Sequence, residues 1–304
     1  MNSKSASRTA RAKALSPRAL PELPVLNDDT VSLKRSKGTK SQASTAFDKY
    51  AAYSIAVQSP HHDVRFMRRL YRDLIHREPI TMREDFCGTF ELCCEWVKLS
   101  NENRAIGMDI DPEPLAYGVE NYLSALCESE QRRVTIAEQN VLARTTAKAD
   151  IVCAFNYSYF VFQSRETLLR YFEAVRQSLR PGGILIIDCF GGPMCGKPSI
   201  ESRKLSGLTY YWEQESFDSI SNRARFSIHF KPKGGRKRNR VFSYDWRMWS
   251  LAELRDLMLE AGFKDTKVYW EGTGRNGSGS GVFNLRARGE AVERWVAYLV
   301  GQTT

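Results

Sequence analysis

From residue 46 onward the chain alternates short apolar runs with amphipathic stretches, whereas residues 1–45 show no apolar periodicity and carry Pro17, Pro21 and Pro24. That leading stretch is expected to be a disordered tail, with order beginning near Ala46. In residues 62–76, Val64, Met67, Leu70, Tyr71, Leu74 and Ile75 recur at helical spacing, which predicts an amphipathic helix. The pattern then predicts strands over 81–87, 104–110, 133–138, 150–155 and 183–189, with helices over 90–99, 113–126 and 165–179 between them. Such alternation is the signature of a parallel sheet covered on both faces. Arg180-Pro181-Gly182-Gly183 stops the last of these helices and feeds the fifth strand.

After residue 204 the period changes to two. Aromatic, alternating runs over 209–217, 223–231 and 241–249 predict three antiparallel strands inserted after the parallel core. Ser250 caps a helix over 250–262, Gly262 lies near its end, and strands are expected at 268–270 and 295–300. The segment 274–281, with Ser278 and Ser280 among glycines, is expected to be a flexible loop. The resulting organisation is a tail over 1–45 and one α/β domain over 46–304, with an antiparallel insertion over 192–249 on the substrate side.

Composition narrows the function classes. A chain of 304 residues with 42% hydrophobic content can bury a large core without staples. No run approaches the roughly 18 apolar residues of a membrane span, and the start lacks the apolar region of a secretory signal, so a cytoplasmic protein with no membrane partner is expected. The seven cysteines are odd in number and contain no CxxC pair, which argues against a disulfide framework or a zinc cluster. His61, His62, His76 and His229 lack ligand spacing, and no metal site is expected.

The formal charge is +10, and residues 1–46 hold nine Lys/Arg against three acids. Such a tail is a solvated segment, a nucleic-acid arm or a transit peptide. The turn Lys231-Pro232-Lys233-Gly234-Gly235-Arg236-Lys237-Arg238-Asn239-Arg240 carries six cations and is either a solvated hairpin tip or a contact for RNA phosphates. No RNA-binding module accompanies it, so a small molecule is the preferred partner. Oligomeric state is not legible.

In an open parallel sheet, ligands bind at the carboxyl ends of the strands, near the switch in strand order. The first strand ends Arg83-Glu84-Asp85-Phe86-Cys87-Gly88-Thr89, and three consecutive charges there ask for partners. The second ends Gly107-Met108-Asp109-Ile110-Asp111-Pro112, with an acid 21 residues after Gly88. A carboxylate at that spacing either accepts hydrogen bonds from ribose hydroxyls or caps the next helix.

Together with Ala149-Asp150-Ile151-Val152, Phe155-Asn156 and the Leu179-Arg180-Pro181-Gly182-Gly183 turn, these residues resemble the class I S-adenosylmethionine-dependent methyltransferases over roughly 46–301. The resemblance implies a Rossmann-like, seven-stranded sheet with the last strand antiparallel, and S-adenosylmethionine as cofactor. It implies that Glu84, Cys87, Gly88 and Thr89 wrap the methionine part, with Asp85 in the acidic role if the turn is one residue shorter. Arg83 then pairs with the cofactor carboxylate or neutralises its two acidic neighbours. Asp109, followed by Ile110, would hold the ribose; Asn140 and Val141 would meet the adenine, and Phe155 would lie beside the methyl. Tyr50 and Tyr53, in Phe47-Asp48-Lys49-Tyr50-Ala51-Ala52-Tyr53, would belong to a lid.

The usual first and third glycines of the family's turn are Phe86 and Phe90 here. Asn156 and Tyr159 are the candidate catalytic residues, since they follow the fourth strand. Tyr210, Tyr211, Trp212, Glu213, Tyr244, Asp245, Trp246, Arg247 and Trp249 either bind the acceptor or pack the inserted sheet, and alternation lets only half face a pocket. Methyl transfer from a sulfonium is an in-line displacement that needs alignment and exclusion of water rather than a nucleophilic side chain or metal. Two alternatives are a nicotinamide oxidoreductase, disfavoured by the missing GxGxxG, and a noncatalytic RNA-binding protein on the same fold.

Overall fold

Runs of apolar residues buried on both sides make the central strands, because a strand between two helical layers has no solvent face. In the computed structural model, which describes residues 47–143, 145–274 and 279–304, β4 (Ala149–Ala154) is buried throughout. β5 (Leu179–Gly191) buries an unbroken run from Gly183 to Phe190. The tail expected over 1–45 lies outside the described residues.

These two strands join β1 (Thr81–Asp85), β2 (Arg104–Asp109) and β3 (Val134–Glu138) in parallel pairing. Beyond β5 come β12 (Trp295–Gln302), antiparallel to it, then β10 (Asp265–Thr273) and β11 (Gly279–Leu285). The order is β11-β10-β12-β5-β4-β1-β2-β3, eight strands where seven are expected from the sequence. The added strand, β11, begins inside the stretch read as a flexible loop, whose residues 275–278 lie outside the described residues. Its Gly279 is required, since a Cβ there would meet the Glu271 carboxylate at 2.1 Å. A glycine-rich segment tucked against a side chain carries no strand signal.

Successive side chains of β4 and β5 enter opposite layers. Val152, Leu185 and Ile187 meet Leu168, Phe172 and Val175 of α6 (Arg165–Ser178) and Leu254, Leu257 and Met258 of α7 (Leu251–Glu260). Ile151, Cys153, Ile184 and Ile186 meet Val64, Met67 and Tyr71 of α2 (Pro60–Ile75) and Cys93, Trp96 and Val97 of α3 (Glu91–Lys98). Burying each such aliphatic side chain contributes roughly 1.5–3 kcal/mol.

The helix expected over 113–126 is instead α4 (Pro112–Gly118) followed by a π-helical turn, Val119–Leu123. Gly118 explains the break. A Cβ there would lie 2.3 Å from the Thr89 carbonyl and 2.5 Å from the Phe90 ring, so this helix presses directly on the loop after β1.

The insertion forms a separate sheet of four antiparallel strands, β6 (Ser199–Leu205), β7 (Leu208–Asp218), β8 (Arg223–Pro232) and β9 (Arg238–Arg247), one more than the pattern predicts. β6 escaped notice because its residues Ser199-Ile200-Glu201-Ser202-Arg203-Lys204-Leu205 are mostly polar. Tyr210, Trp212 and Trp246 point inward, and Trp246 packs on Phe160 at 5.9 Å. Between the two sheets lies α1 (Lys49–Val57), capped by Asp48. Its Tyr50 touches Tyr117 of α4 at 4.9 Å and Phe242 of β9 at 6.1 Å, and Tyr53 touches Phe242 at 5.1 Å. Among the described residues no helix is long and apolar enough to cross a membrane.

Phe90 is fully buried with φ of +46°, a conformation that favours glycine. Relief of that strain is worth about 1 kcal/mol, whereas deleting a buried Phe costs about 3–5 kcal/mol. Packing therefore wins. Phe90→Gly is expected to lower unfolding free energy by at least about 2 kcal/mol in urea titration; an unchanged or higher value would mean that the backbone, not the ring, decides this position.

Candidate active site

The chain leaves β1, builds β2 and β3 on one side, then crosses to place β4 on the other. A crevice opens at that switch, above the carboxyl ends of β1, β2 and β4. The loop 86–90 curls over it with Phe86, Gly88 and Phe90 all at positive φ (+57°, +52° and +46°). Two of the three are not glycine, yet the backbone takes the tight course that glycines make easy. Packing holds it there: Cys87 N–H donates to the Met108 carbonyl at 3.0 Å, and the Phe86 ring contacts Phe162 and Tyr171.

Asp109 closes the other side of this loop. Its carboxylate accepts from Gly88 N–H at 2.7 Å and from Asp111 N–H at 2.9 Å. Asp111 itself caps α4 by accepting from Glu113 N–H. Asp109, Ile110, Asn140 and Val141 line one cavity of about 380 Å³ with Phe86, Phe162, Tyr244 and Trp246. Ile110 leaves 67% of its surface exposed there.

On β1 the three charges separate by strand alternation. Glu84 faces α3, where Cys93 Sγ–H donates to it at 3.3 Å. Arg83 and Asp85 face α6 and bind each other through two contacts of 2.8 and 2.9 Å, with Tyr171 O–H donating to Asp85 at 3.0 Å. Of the two alternatives for Arg83, the structure has it neutralising an acidic neighbour, Asp85, under α6 rather than pointing both charges at the crevice. Thr89 and Cys87 are buried in the loop, and burial pushes the Cys87 thiol far up, so it is no nucleophile.

Beyond β4, Asn156 and Tyr157 are both left-handed, at φ of +57° and +59°. Asp188 of β5 holds the pair, its carboxylate accepting from their backbone N–H groups at 2.8 and 2.9 Å. Asn156 and Phe155 line a second cavity of about 560 Å³ with Asp188 and with Asp63 of α2. Tyr159 does not join them. It is fully buried and its hydroxyl donates to the Asp188 carbonyl at 2.8 Å, so the catalytic role expected for it is corrected to a structural one.

The aromatic strands divide as alternation requires. Tyr210 lines the larger cavity, Tyr244 and Trp246 the smaller, and Trp212 packs between them. Tyr211, Glu213, Asp245 and Arg247 point elsewhere: Tyr211 lies under Lys237, Glu213 bonds His229, Asp245 pairs with Arg223, and Arg247 stacks on Trp249 and pairs with Glu253.

Neither a family model nor a curated protein matches the chain in sequence. Solved structures do match. A S-adenosylmethionine-dependent methyltransferase from Clostridium acetobutylicum aligns with a TM-score of 0.59 at 16% identity, over 83% of this chain and 96% of its own. An amino pentose methyltransferase from Micromonospora echinaspora, with S-adenosylmethionine bound, gives 0.60 at 14% identity over 87% and 100%. A sugar N-methyltransferase from Streptoalloteichus sp gives 0.57 at 18% identity over 88% and 98%. The fold is that of the S-adenosylmethionine-dependent methyltransferases.

Within this methyltransferase fold, two acids beyond those expected from the sequence, Asp63 and Asp188, line the larger cavity. Asp188 carries a detectable signal, an acid in the otherwise apolar run Ile186-Ile187-Asp188-Cys189-Phe190. Asp63 carries none, because an acid in the first turn of a helix reads as an ordinary dipole partner. Burial raises the pKa of Glu84 to about 8 and of Asp63 and Asp188 to about 7, and the Asp188 charge raises Asp63 further.

Carboxyls whose pKa is raised on folding stabilise the protein fully at low pH and progressively less as pH climbs through their folded values. Melting temperature of the ligand-free protein is therefore expected to fall from about pH 5 to about pH 8. In Glu84→Gln that fall shrinks. A melting temperature that rises over the same window in the wild type would contradict these environments.

Proposed function

We propose that this protein transfers a methyl group from S-adenosylmethionine to a small-molecule acceptor. The observation that carries the reading is Asp109, which ties the loop 86–90 to the end of β2 while lining a cavity beside Ile110. Each carboxylate oxygen has a second lone pair after accepting one backbone N–H. Those pairs suit vicinal ribose hydroxyls, and Ile110 and Val141 offer apolar faces to a purine ring, with Asn140 at its polar edge.

The residues present fit the rest of the cofactor. Glu84 is nine-tenths buried with no basic side chain among the groups that shift it, an environment that a bound ammonium and sulfonium would complete. Cys87, Gly88 and Thr89 supply the loop around the methionine portion, and Tyr50 and Tyr53 of α1 close it from above. The cofactor supplies an electrophilic methyl with a neutral thioether as leaving group. The chain's part is to align the acceptor, exclude water and manage its proton. Phe155 and Asn156 belong at the boundary between the two cavities, with Asn156 as the positioning group nearest the transfer.

A small acceptor is supported by the 560 Å³ cavity, a size suited to one metabolite-sized molecule. The solved structures named above, which act on an amino pentose and a sugar by their own descriptions, agree with it. The basic hairpin argues less for RNA than its charge count suggests: Arg240 pairs with Glu215, Lys237 lies over Tyr211, and Arg238 over Phe47. The free thiols fit a reducing compartment, and a cytoplasmic enzyme is part of this reading.

Isothermal titration with S-adenosylmethionine tests the proposal. Binding to the wild type is expected, with about 10- to 100-fold weaker affinity in Asp109→Ala, the cost of losing charge-assisted bonds to the sugar. No binding by the folded wild type would sink the reading, and equal affinity in the variant would remove Asp109 from it.

A further inference from the structure

The larger cavity joins two kinds of group that rarely share a pocket. One wall is aromatic: Tyr298 sits at the centre, with Phe283 at 4.6 Å, Phe66 at 4.7 Å and Phe155 at 5.5 Å between ring centroids. The other carries the carboxyls of Asp63 and Asp188. Aromatic faces attract cations through their quadrupole, and a carboxylate beside them gives the charge a hydrogen-bond acceptor. A cation gains from both features, a neutral hydroxyl from the carboxylate alone, and an anion is repelled by it.

Resting on the proposed function, we propose that the acceptor is an amine, bound as its ammonium in this cage, and that Asp63 takes its proton before transfer. The two acids are not equivalent. Asp188 anchors a turn, one oxygen accepting from Asn156 N–H and the other from Tyr157 N–H. Asp63 sits in the first turn of α2, facing the cavity, and is the acid assigned the proton exchange. Its pKa near 7 suits that task, while an unshifted carboxylate would be too weak a base.

The step balances as follows. The ammonium R–NH3+ gives a proton to the Asp63 carboxylate, leaving R–NH2 with a free lone pair. That pair forms the N–CH3 bond as the C–S bond breaks, and the C–S electrons stay on sulfur as a neutral thioether. The product leaves as R–NH2CH3+, and Asp63 returns its proton to water. Other charged groups line the same space: Asp188 from the sheet, Arg203 from β6, and His62, Arg65 and Arg69 from α2 itself, and the Glu84 carboxyl is near enough to feel the Asp63 charge. Arg203 is bonded to the Ala56 carbonyl, Arg69 lies over the Phe66 ring, and Arg65 and His62 are exposed. Arg65 and His62 thus stand toward solvent, while Arg203 is part-buried over the Tyr210 ring at 5.7 Å.

The test pairs amines with alcohols of the same frame, tyramine with tyrosol and glucosamine with glucose, titrated into protein saturated with S-adenosylhomocysteine. The amines are expected to bind at least about tenfold tighter than their alcohol partners. Their affinity should weaken as pH falls from about 8 to about 5.5, while the alcohols stay flat. Asp63→Asn should erase the amine preference yet keep S-adenosylhomocysteine affinity within about threefold. With labelled cofactor, methyl transfer to the amines should rise with pH through about 7 in the wild type and lose that limb in the variant.

Equal binding of amine and alcohol, or binding of neither by protein that holds S-adenosylhomocysteine, would overturn the proposal while leaving the methyltransferase reading intact. Failure to bind S-adenosylhomocysteine at all would instead strike the proposed function. Should Asp63→Asn not fold, the pH dependence of wild-type amine binding decides alone.

Discussion

Two carboxylates hold the crevice in shape. Asp109 accepts N–H groups from Gly88 and Asp111, and Asp188 accepts them from Asn156 and Tyr157. Each thereby fixes a turn on one side of the switch between β1 and β4, and the cavities exist because those turns stay curled away from each other. A third acid shows what distinguishes them from ordinary structural carboxylates. Asp150, at the opposite end of β4, also accepts two backbone N–H groups, but Arg77 and Arg180 pair with it as well. Burial raises its pKa, but the Thr81 and Ile80 N–H groups, and after them Arg77 and Arg180, outweigh that and leave it below the usual value, whereas burial pushes Asp188, more deeply placed and without an arginine, up to about 7.

Strain gathers at the same two turns. Phe86 and Phe90 adopt left-handed backbone in one, Asn156 and Tyr157 in the other. Each such residue costs of order 1 kcal/mol or more and persists only where packing over-determines it. Here the packing is visible: Gly118 admits the loop 86–90 at closer than side-chain distance, and Tyr157 is gripped by Phe190 at 4.6 Å and Trp246 at 6.3 Å. Side chains do the work that glycines do in a looser loop, and the loop is correspondingly rigid.

The inserted sheet and α1 add walls to an open crevice. Tyr244 and Trp246 wall the smaller cavity, Tyr210 and Arg203 the larger, and α1 bridges the sheets through Tyr50 and Tyr53. The large basic count of the hairpin is partly consumed in packing, since Arg238 lies over Phe47, just before α1.

The sequence by itself determined the parallel core, the helices around it, the presence of an antiparallel insertion and the place of Asp109 at the end of β2, because each depends on local period or on a charge ending an apolar run. It did not reveal β6 and β11, whose polar or glycine-rich residues are strands only because a neighbour pairs with them. Only the tertiary structure decided that Arg83 and Asp85 neutralise each other, that Tyr159 is buried, and that Asp63 and Asp188, 125 residues apart in the chain, open on one cavity. Such facts follow from which surfaces meet, and the energy of a buried charge depends on neighbours that local patterns do not contain.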